Sequence, residues 1–261
     1  MGEYIDIYRR AYYYDIAFRR DVSGEVEFLV DLYQRHNRRP LRSMIDIACG
    51  PGYHSKAFAA RGIKAYALDL QPEMVEFARS LAPDSDIDYL ASDMRDFALP
   101  TPVDLALNSF DSIDCLETHD QIIDHFRAVA RNLTADGLYV IELTHPKDCS
   151  LSYYGNFHYD GERDGVRVVV DWAVNEPKFD PLTQIVECEV VMTVDDNGER
   201  KTFRETARER FLSLPELTVL ANRSAALSFV TAYGDFRFDQ PFDNSPGARR
   251  MIVVLRASHG A

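Results

Sequence analysis

The chain has 261 residues, 46% of them hydrophobic, enough to build the core of a single α/β enzyme domain carrying an insertion. Lys plus Arg number 29 against 42 for Asp plus Glu, a formal net charge of −13 that repels polyanions and so excludes nucleic acid and anionic membrane as partners. Cys49, Cys115, Cys149 and Cys188 form no CxxC and no metal-ligand spacing, no stretch reaches the ~20 apolar residues of a membrane span, and no signal-peptide core stands at the N-terminus, so a cytoplasmic protein without a metal is expected.

Residues 3–20 are dense in aromatics and arginines, and Tyr4, Tyr8 and Tyr12 recur at helical spacing, which places them on one helix face against the core edge. Asp21 to His36 reads as an amphipathic helix with Val22, Val26, Leu29, Val30 and Tyr33 on one side, followed by a solvated connector rich in arginine. Met44 to Ala48 reads as a strand buried on both faces, as parallel sheets require. Gly50 and Gly52 follow at once, and a turn with two glycines lets a ligand approach the backbone with no side chain in the way. Such a loop at the carboxyl end of a strand is where open α/β sheets bind nucleotides. Pro51 stiffens it, and the helix starting near Tyr53 directs its positive end to the same crevice.

Gly50-Pro51-Gly52-Tyr53-His54-Ser55 supplies the first two glycines of GxGxxG but has Ser55 at the third, so it fits a nicotinamide dinucleotide poorly, and no P-loop Lys follows. Asp46 to Gly52, DIACGPG, instead resembles the first motif of class I S-adenosylmethionine-dependent methyltransferases. A second strand, Lys64 to Leu68, ends at Asp69, whose carboxylate can accept both hydroxyls of a ribose. Leu70 to Met74 opens the next helix, with Pro72 suited to its first turn. A third strand, Ile87 to Leu90, leads to Asp93, which can accept from an adenine amino group, and to Met94, which can pack on the ring. Glycine loop, ribose acid and adenine acid stand in the order that the methyltransferase superfamily uses. The resemblance implies an α/β, Rossmann-like doubly wound sheet and S-adenosyl-L-methionine as cofactor, with Asp46, Ala48, Gly50, Gly52, Asp69, Leu70, Met74, Asp93 and Met94 around it.

A fourth buried strand, Val103 to Leu107, ends in Asn108-Ser109-Phe110-Asp111-Ser112-Ile113, a loop that should face the cofactor because it lies beside the first strand at the switch point. This loop, the stretch Ser92 to Phe97 and Tyr14-Asp15 are similar to small-molecule N-methyltransferases acting on nucleotide-linked amino sugars. That likeness implies that Asn108 and Phe110 border the cofactor, that Phe110 lines the methyl-transfer site, and that Tyr14 lies over cofactor or acceptor. Asn108-Ser109 is more polar than the family pattern. Residues 1–40 would then be a helical lid that closes over the cofactor, brings Tyr13 and Tyr14 to the acceptor and excludes water.

Asp120 to Leu133 reads as a helix, Thr134 to Gly137 as a turn and Leu138 to Leu143 as a fifth strand that delivers His145 to the ligand edge. His145 can take a proton from the acceptor, and His119 at a helix start serves equally well; a histidine merely hydrogen-bonded in a loop is the plain alternative. From residue 149 to 211 the pattern changes to strands, Val166 to Val174, Thr183 to Val194 and Arg200 to Phe211, with Asn197-Gly198 a strong hairpin signal. This antiparallel β insert can roof the acceptor or pair across a homodimer. Trp172 is its candidate acceptor contact beside Tyr13, Phe110, Ile113 and His145, and Arg163, Arg167, Arg204 and Arg210 are explained as readily by surface charge. Residues 41–148 and 212–261 make the cofactor domain, completed by a helix from Pro215 to Ala226, capped by Ser213, and by strands Leu227 to Tyr233 and Met251 to Leu255.

The function expected is methyl transfer to a small-molecule acceptor, most readily an amine nitrogen, by in-line displacement with alignment and desolvation supplied by the site. C- or O-methylation of an aromatic such as an indole or quinone is the alternative within enzymes, and a non-catalytic S-adenosylmethionine-binding subunit the alternative outside them.

Overall fold

The computed structural model describes residues 6–148 and 157–258. Tyr4 and Cys149 lie outside them. Five parallel strands come first: β1 (Ser43–Ile47), β2 (Lys64–Asp69), β3 (Ile87–Ala91), β4 (Val103–Asn108) and β5 (Leu133–Thr144). With β11 (Leu227–Tyr233) and β12 (Arg250–Ala257) they form a seven-stranded sheet in the order β11-β12-β5-β4-β1-β2-β3, β12 running antiparallel to both neighbours. The order reverses between β1 and β4, so the carboxyl ends of these two strands open the crevice in which such sheets bind ligands.

Alternation along each strand sorts the core into two layers. Met44 of β1 joins the layer made with α2 (Ser23–Asn37) and α3 (Tyr53–Ala59), through Val26, Leu29, Tyr33 and Phe58. Ile45 and Ile47 join the other layer, made with α5 (His119–Arg131) and α6 (Leu214–Ser224), through Ile122, Phe126, Leu217 and Leu220. Helix α5 starts on a capping box of Thr118 and Gln121, and Ser213 caps α6. The expected turn over Thr134–Gly137 is instead part of β5: the pairing with β4 jumps from Val103↔Leu133 to Leu105↔Leu138, so those residues are absorbed as a bulge.

The insert is a second, five-stranded antiparallel sheet: β6 (Phe157–Arg163), β7 (Val166–Trp172), β8 (Lys178–Asp180), β9 (Ile185–Asp196) and β10 (Glu199–Arg210). Its hairpins turn at Asp164-Gly165 and Asn197-Gly198, all four residues with positive φ as a two-residue turn of the primed type requires. Strands β6 and β8 were not expected; β6 alternates half-buried and exposed residues around His158, Asp160 and Glu162 and carries little apolar signal.

The N-terminal segment is not one continuous helix. A single 3-10 turn, Asp6–Arg9, is followed by α1 (Ala11–Phe18), with Arg10 between them out of helical geometry. Tertiary contacts impose the break: Ile7 is buried in the insert core, its N–H donates to Glu205 at 2.9 Å, and Arg10 pairs with the same carboxylate at 3.0 Å. Tyr8 and Tyr12 therefore do not share a face. Ile16, Ala17 and Phe18 pack with Val168, Val170 and Val190, so α1 sits on the insert while α2 belongs to the central sheet. Among the described residues no helix is long and apolar enough to cross a membrane, and no cluster of His, Cys, Asp and Glu could hold a metal ion.

Candidate functional site

At the end of β1 the chain turns through Ala48, Gly50 and Gly52, all with positive φ, and Gly52 caps α3. Asp46, fully buried, accepts from Ser55 N–H at 3.2 Å and from its hydroxyl at 2.7 Å, pinning the first turn of α3 beneath the loop. Burial pushes its pKa up. Asp69, at the end of β2, accepts from the Gly50 N–H and the Gln71 N–H, each at 3.0 Å, and so holds the glycine loop against the start of α4 (Pro72–Ser80). Its pKa too is raised by burial.

Asp93 is gripped by Arg95, from Nε at 2.9 Å, from Nη2 at 2.5 Å and from the backbone N–H at 2.8 Å, and the guanidinium holds its carboxyl below the usual range. The carbonyl of Met94 accepts from His125 Nδ1 at 2.8 Å, leaving Nε2 to accept from the Tyr139 hydroxyl at 2.6 Å. His125 is wholly buried and neutral, its pKa lowered by burial to about 4.

One cavity runs from the glycine loop to the insert. Of the residues expected there, Tyr14, Ala48, Gly50, Asp69, Leu70, Met74, Asp93, Met94, Phe110 and Trp172 line it. Tyr14 covers the loop: a Cβ added at Gly50 would stand 3.9 Å from its ring. That ring stacks on Phe18 at 4.3 Å, Phe18 lies 4.5 Å from Tyr159, and Phe110 lies 6.0 Å from Phe18, making an aromatic wall. Burial raises the pKa of Tyr14 and pushes Tyr159 up to about 12, so both phenols keep their protons at neutral pH. Helix α1 is anchored by Asp15, buried, which accepts from Tyr53 at 2.7 Å, Arg19 at 2.6 Å and Arg163 at 2.5 Å. Burial alone would raise its pKa; the two arginines and the tyrosine hold it low.

Seven expected residues do not line the cavity. Asp46 and Gly52 support the loop from behind it. Asn108 is buried and donates weakly to the Ile47 carbonyl at 3.4 Å, and Ile113 packs in the main core. Tyr13 turns outward to Asp196 at 3.0 Å. His145 does not reach the cavity because the chain leaving β5 carries it towards Phe242, 4.7 Å between ring centroids, and its Nδ1 accepts from the Lys147 N–H at 3.1 Å; burial lowers its pKa. His119, the first residue of α5, stands between Glu216 and Arg210, 2.9 Å from each, and does not line the cavity. The insert arginines are engaged elsewhere: Arg163 with Asp15, Arg204 with Glu189, Arg210 with Glu216, and Arg167 lies exposed near Asp160.

The sequence reading missed most of the insert side of the cavity: Tyr8, Asp111, Ser112, Asp114, Cys115, Phe157, Tyr159, Glu209 and Phe211 line it. Phe110 and Asp111 have positive φ, and a buried brace holds them there. Arg250 of β12 pairs with Asp111 at 3.0 Å and with Glu142, and Glu142 accepts from the Phe110 N–H at 2.5 Å. Asp114 is 8% exposed and its Oδ1 has no hydrogen-bond partner.

Gly50 of the glycine loop, Asp69 at the end of β2, and Leu70, Met74, Asp93 and Met94 line the sheet end of this cavity. Residues 44–137 match the family model described as "Methyltransferase domain". The chain is 28% identical over 141 residues to a dTDP-3-amino-3,4,6-trideoxy-alpha-D-glucopyranose N,N-dimethyltransferase of Streptomyces venezuelae, which covers 54% of this chain and 56% of that protein, so the match spans about half of that relative's length. It is 29% identical over 206 residues to a dTDP-4-amino-2,3,4,6-tetradeoxy-D-glucose N,N-dimethyltransferase of Saccharopolyspora spinosa, covering 70% of this chain and 81% of that one. In fold it is similar to an S-adenosylmethionine-dependent methyltransferase from Clostridium acetobutylicum, with a TM-score of 0.77 over 98% of this chain and 100% of that one at 18% identity. Residues 44–137 therefore match a methyltransferase domain, and the chain as a whole shares the fold of that methyltransferase structure.

Proposed function

We propose that this protein transfers a methyl group from S-adenosylmethionine to the nitrogen of a small-molecule amine. The observation that carries the reading is the single cavity, whose glycine-loop end suits the cofactor and whose insert end is an aromatic chamber with acid side chains. Asp69 would take the ribose hydroxyls, Asp93 the adenine amino group, and Leu70, Met74 and Met94 the ring faces. The bound cofactor supplies an electrophilic methyl on a sulfonium. The amine nitrogen forms the new C–N bond as the C–S bond breaks, and the ammonium proton passes to a carboxylate of the chamber or to solvent. The protein's own contribution is alignment and exclusion of water, for which α1, the Phe110 turn and the insert close the cavity.

An oxygen or carbon acceptor would ask for a positioned base, and neither expected histidine lines the cavity. The names of the two relatives, both amino-sugar N,N-dimethyltransferases, support nitrogen. The insert serves here as the acceptor roof. Homodimerisation through its edge strands β6 and β10 is a further part of the reading, measurable by sedimentation, and a cytoplasmic setting suits the free thiols of Cys49, Cys115 and Cys188.

The test is release of S-adenosylhomocysteine when the purified protein meets methyl-labelled cofactor and a panel of amines, alcohols and phenols. Label on nitrogen supports the reading. Label confined to oxygen or carbon replaces it with the alternative transfer, and tight cofactor binding without transfer to any acceptor makes the chain a binding subunit.

A further inference from the structure

The relatives named above act on sugars that carry a nucleoside diphosphate, and such an acceptor brings at least two negative charges into the cavity. The chamber is built for the opposite sign. Its described lining includes five carboxyl groups, Asp69, Asp93, Asp111, Asp114 and Glu209, and among the described lining residues there is no Lys, Arg or His. Residues 149–156, outside the described part, contain no Lys or Arg either. The arginines that border the chamber are ion-paired: Arg20 over the Phe110 ring with Glu25, Arg95 with Asp93, Arg250 with Asp111 and Glu142. Phosphate sites elsewhere rest on arginine forks, lysines or helix N-termini. The cavity's insert end offers none of these.

The five acids are not equivalent. Asp69, Asp93 and Asp111 are satisfied by backbone N–H groups, Arg95 and Arg250 respectively. Asp114 is the exception: its side chain is buried, lines the cavity, and has one oxygen without a partner. A buried polar atom is normally satisfied, so an unpartnered carboxylate oxygen on a residue that lines a cavity marks a place for a donor that arrives with the ligand. Glu209 lines the same end, and Tyr8 and Trp172 add aromatic faces that attract an alkylammonium. Resting on the N-methyltransferase reading above, we propose that the acceptor is an amine free of phosphate and nucleotide, which arrives as its ammonium at Asp114 and Glu209 against Tyr8 and Trp172 and gives up one proton to a carboxylate there, so that the neutral nitrogen attacks the sulfonium methyl. Burial, with Asp111 and Glu209 close by, pushes the Asp114 carboxyl up, and an incoming cation relieves that cost.

Calorimetry on the protein saturated with S-adenosylhomocysteine tests this directly. The probes are thymidine diphosphate, a thymidine-diphosphate-linked amino sugar, and a panel of phosphate-free amines that includes amino sugars. Saturable binding of a phosphate-free amine, weakened by about tenfold to hundredfold in Asp114→Asn or Glu209→Gln, with neither nucleotide binding at millimolar concentration, is the expected result. Unchanged affinity for S-adenosylhomocysteine shows that each variant is folded. Saturable binding of either nucleotide, no binding of any phosphate-free amine, or amine binding indifferent to both substitutions overturns the proposal. Amine binding of the expected kind without release of S-adenosylhomocysteine from the methyl donor would overturn the catalytic reading while leaving this one standing.

Discussion

Gly161→Ala tests whether α1 functions as the lid of the cavity. A Cβ at residue 161 would stand 2.0 Å from the Ile16 carbonyl oxygen and 2.9 Å from its carbon, both of them backbone atoms. Carbon and oxygen settle no closer than about 3.3 Å, so α1 or β6 must withdraw by about 1.3 Å. Asp15 adjoins Ile16, and its contacts at 2.7 Å to Tyr53 and 2.5 Å to Arg163 bind α1 to α3 and to β6 respectively. A shift of that size breaks at least one, and it carries Tyr14 off the glycine loop. Overpacking of this kind costs about 1–3 kcal/mol, which a domain of ordinary stability survives. The catalytic loss should be larger in proportion, because a misplacement of about 1 Å can cost about a hundredfold in rate. We expect a lower urea midpoint with an unchanged far-ultraviolet spectrum, weaker binding of S-adenosylhomocysteine by calorimetry, and kcat/KM reduced by about ten- to a hundredfold. A variant that loses stability yet keeps both cofactor affinity and kcat/KM would show that the position of α1 has no bearing on the site.

Asp69→Ala removes a charged acceptor expected to bind a ribose, and hydrogen bonds to charged groups are worth about 1.5–3 kcal/mol, so S-adenosylhomocysteine affinity should fall at least about tenfold; unchanged affinity would refute the ribose assignment. His145→Ala and His119→Ala should leave kcat and its pH profile as in the wild type, and loss of the acid-side inflection in either would return that histidine to the reaction as a base. His125 has a folded pKa of about 4 against an ordinary 6.5, so its contribution is complete above 6.5 and is lost as pH falls towards 4. That gap is worth about 3 kcal/mol, and urea titrations across this range should show a slope that His125→Gln flattens. An equal slope in the variant would assign the acid sensitivity to other groups.

The glycine-loop half of the cavity was legible because parallel sheets place ligand contacts at strand ends, where a short run of sequence carries both the strand and the residue that follows it. Gly50 and Asp69 each stand within a turn of a buried apolar strand, Asp93 stands two residues after the edge strand β3, and all three line the cavity. Asp46 belongs to the same motif and acts one layer back, on Ser55, which spacing alone does not distinguish. The N-terminal helix misled for a different reason: the periodicity of Tyr8 and Tyr12 is genuine, but Glu205, nearly two hundred residues away, breaks the helix between them.

The insert half of the cavity depends on registers fixed by pairing partners far along the chain, and its sequence signals are correspondingly faint. Arg204 to Arg210 looks like a solvated face of alternating charge, yet β10 carries Phe203, Glu205, Ala207 and Glu209 on one side. Ala207, opposite Cys188 and buried in the insert core, shows that this is the inner side, and Glu205 on it reaches back to Ile7 and Arg10. Two residues beyond Ala207, the same period delivers Glu209 to the cavity. One small apolar residue in a charged strand was therefore the available clue. The loop after β4 hides its acids in another way. Ile113 is the residue that hydrophobicity selects, and the 3-10 turn of Ser112–Cys115 buries it in the core while presenting Asp114 and Cys115 to the chamber. That orientation rests on left-handed backbone at Phe110 and Asp111, a conformation that costs about 1–3 kcal/mol per residue and persists only where its surroundings enforce it. Arg250 and Glu142 enforce it from β12 and β5, so the backbone that presents these acids to the cavity is held by two side chains that do not themselves line it.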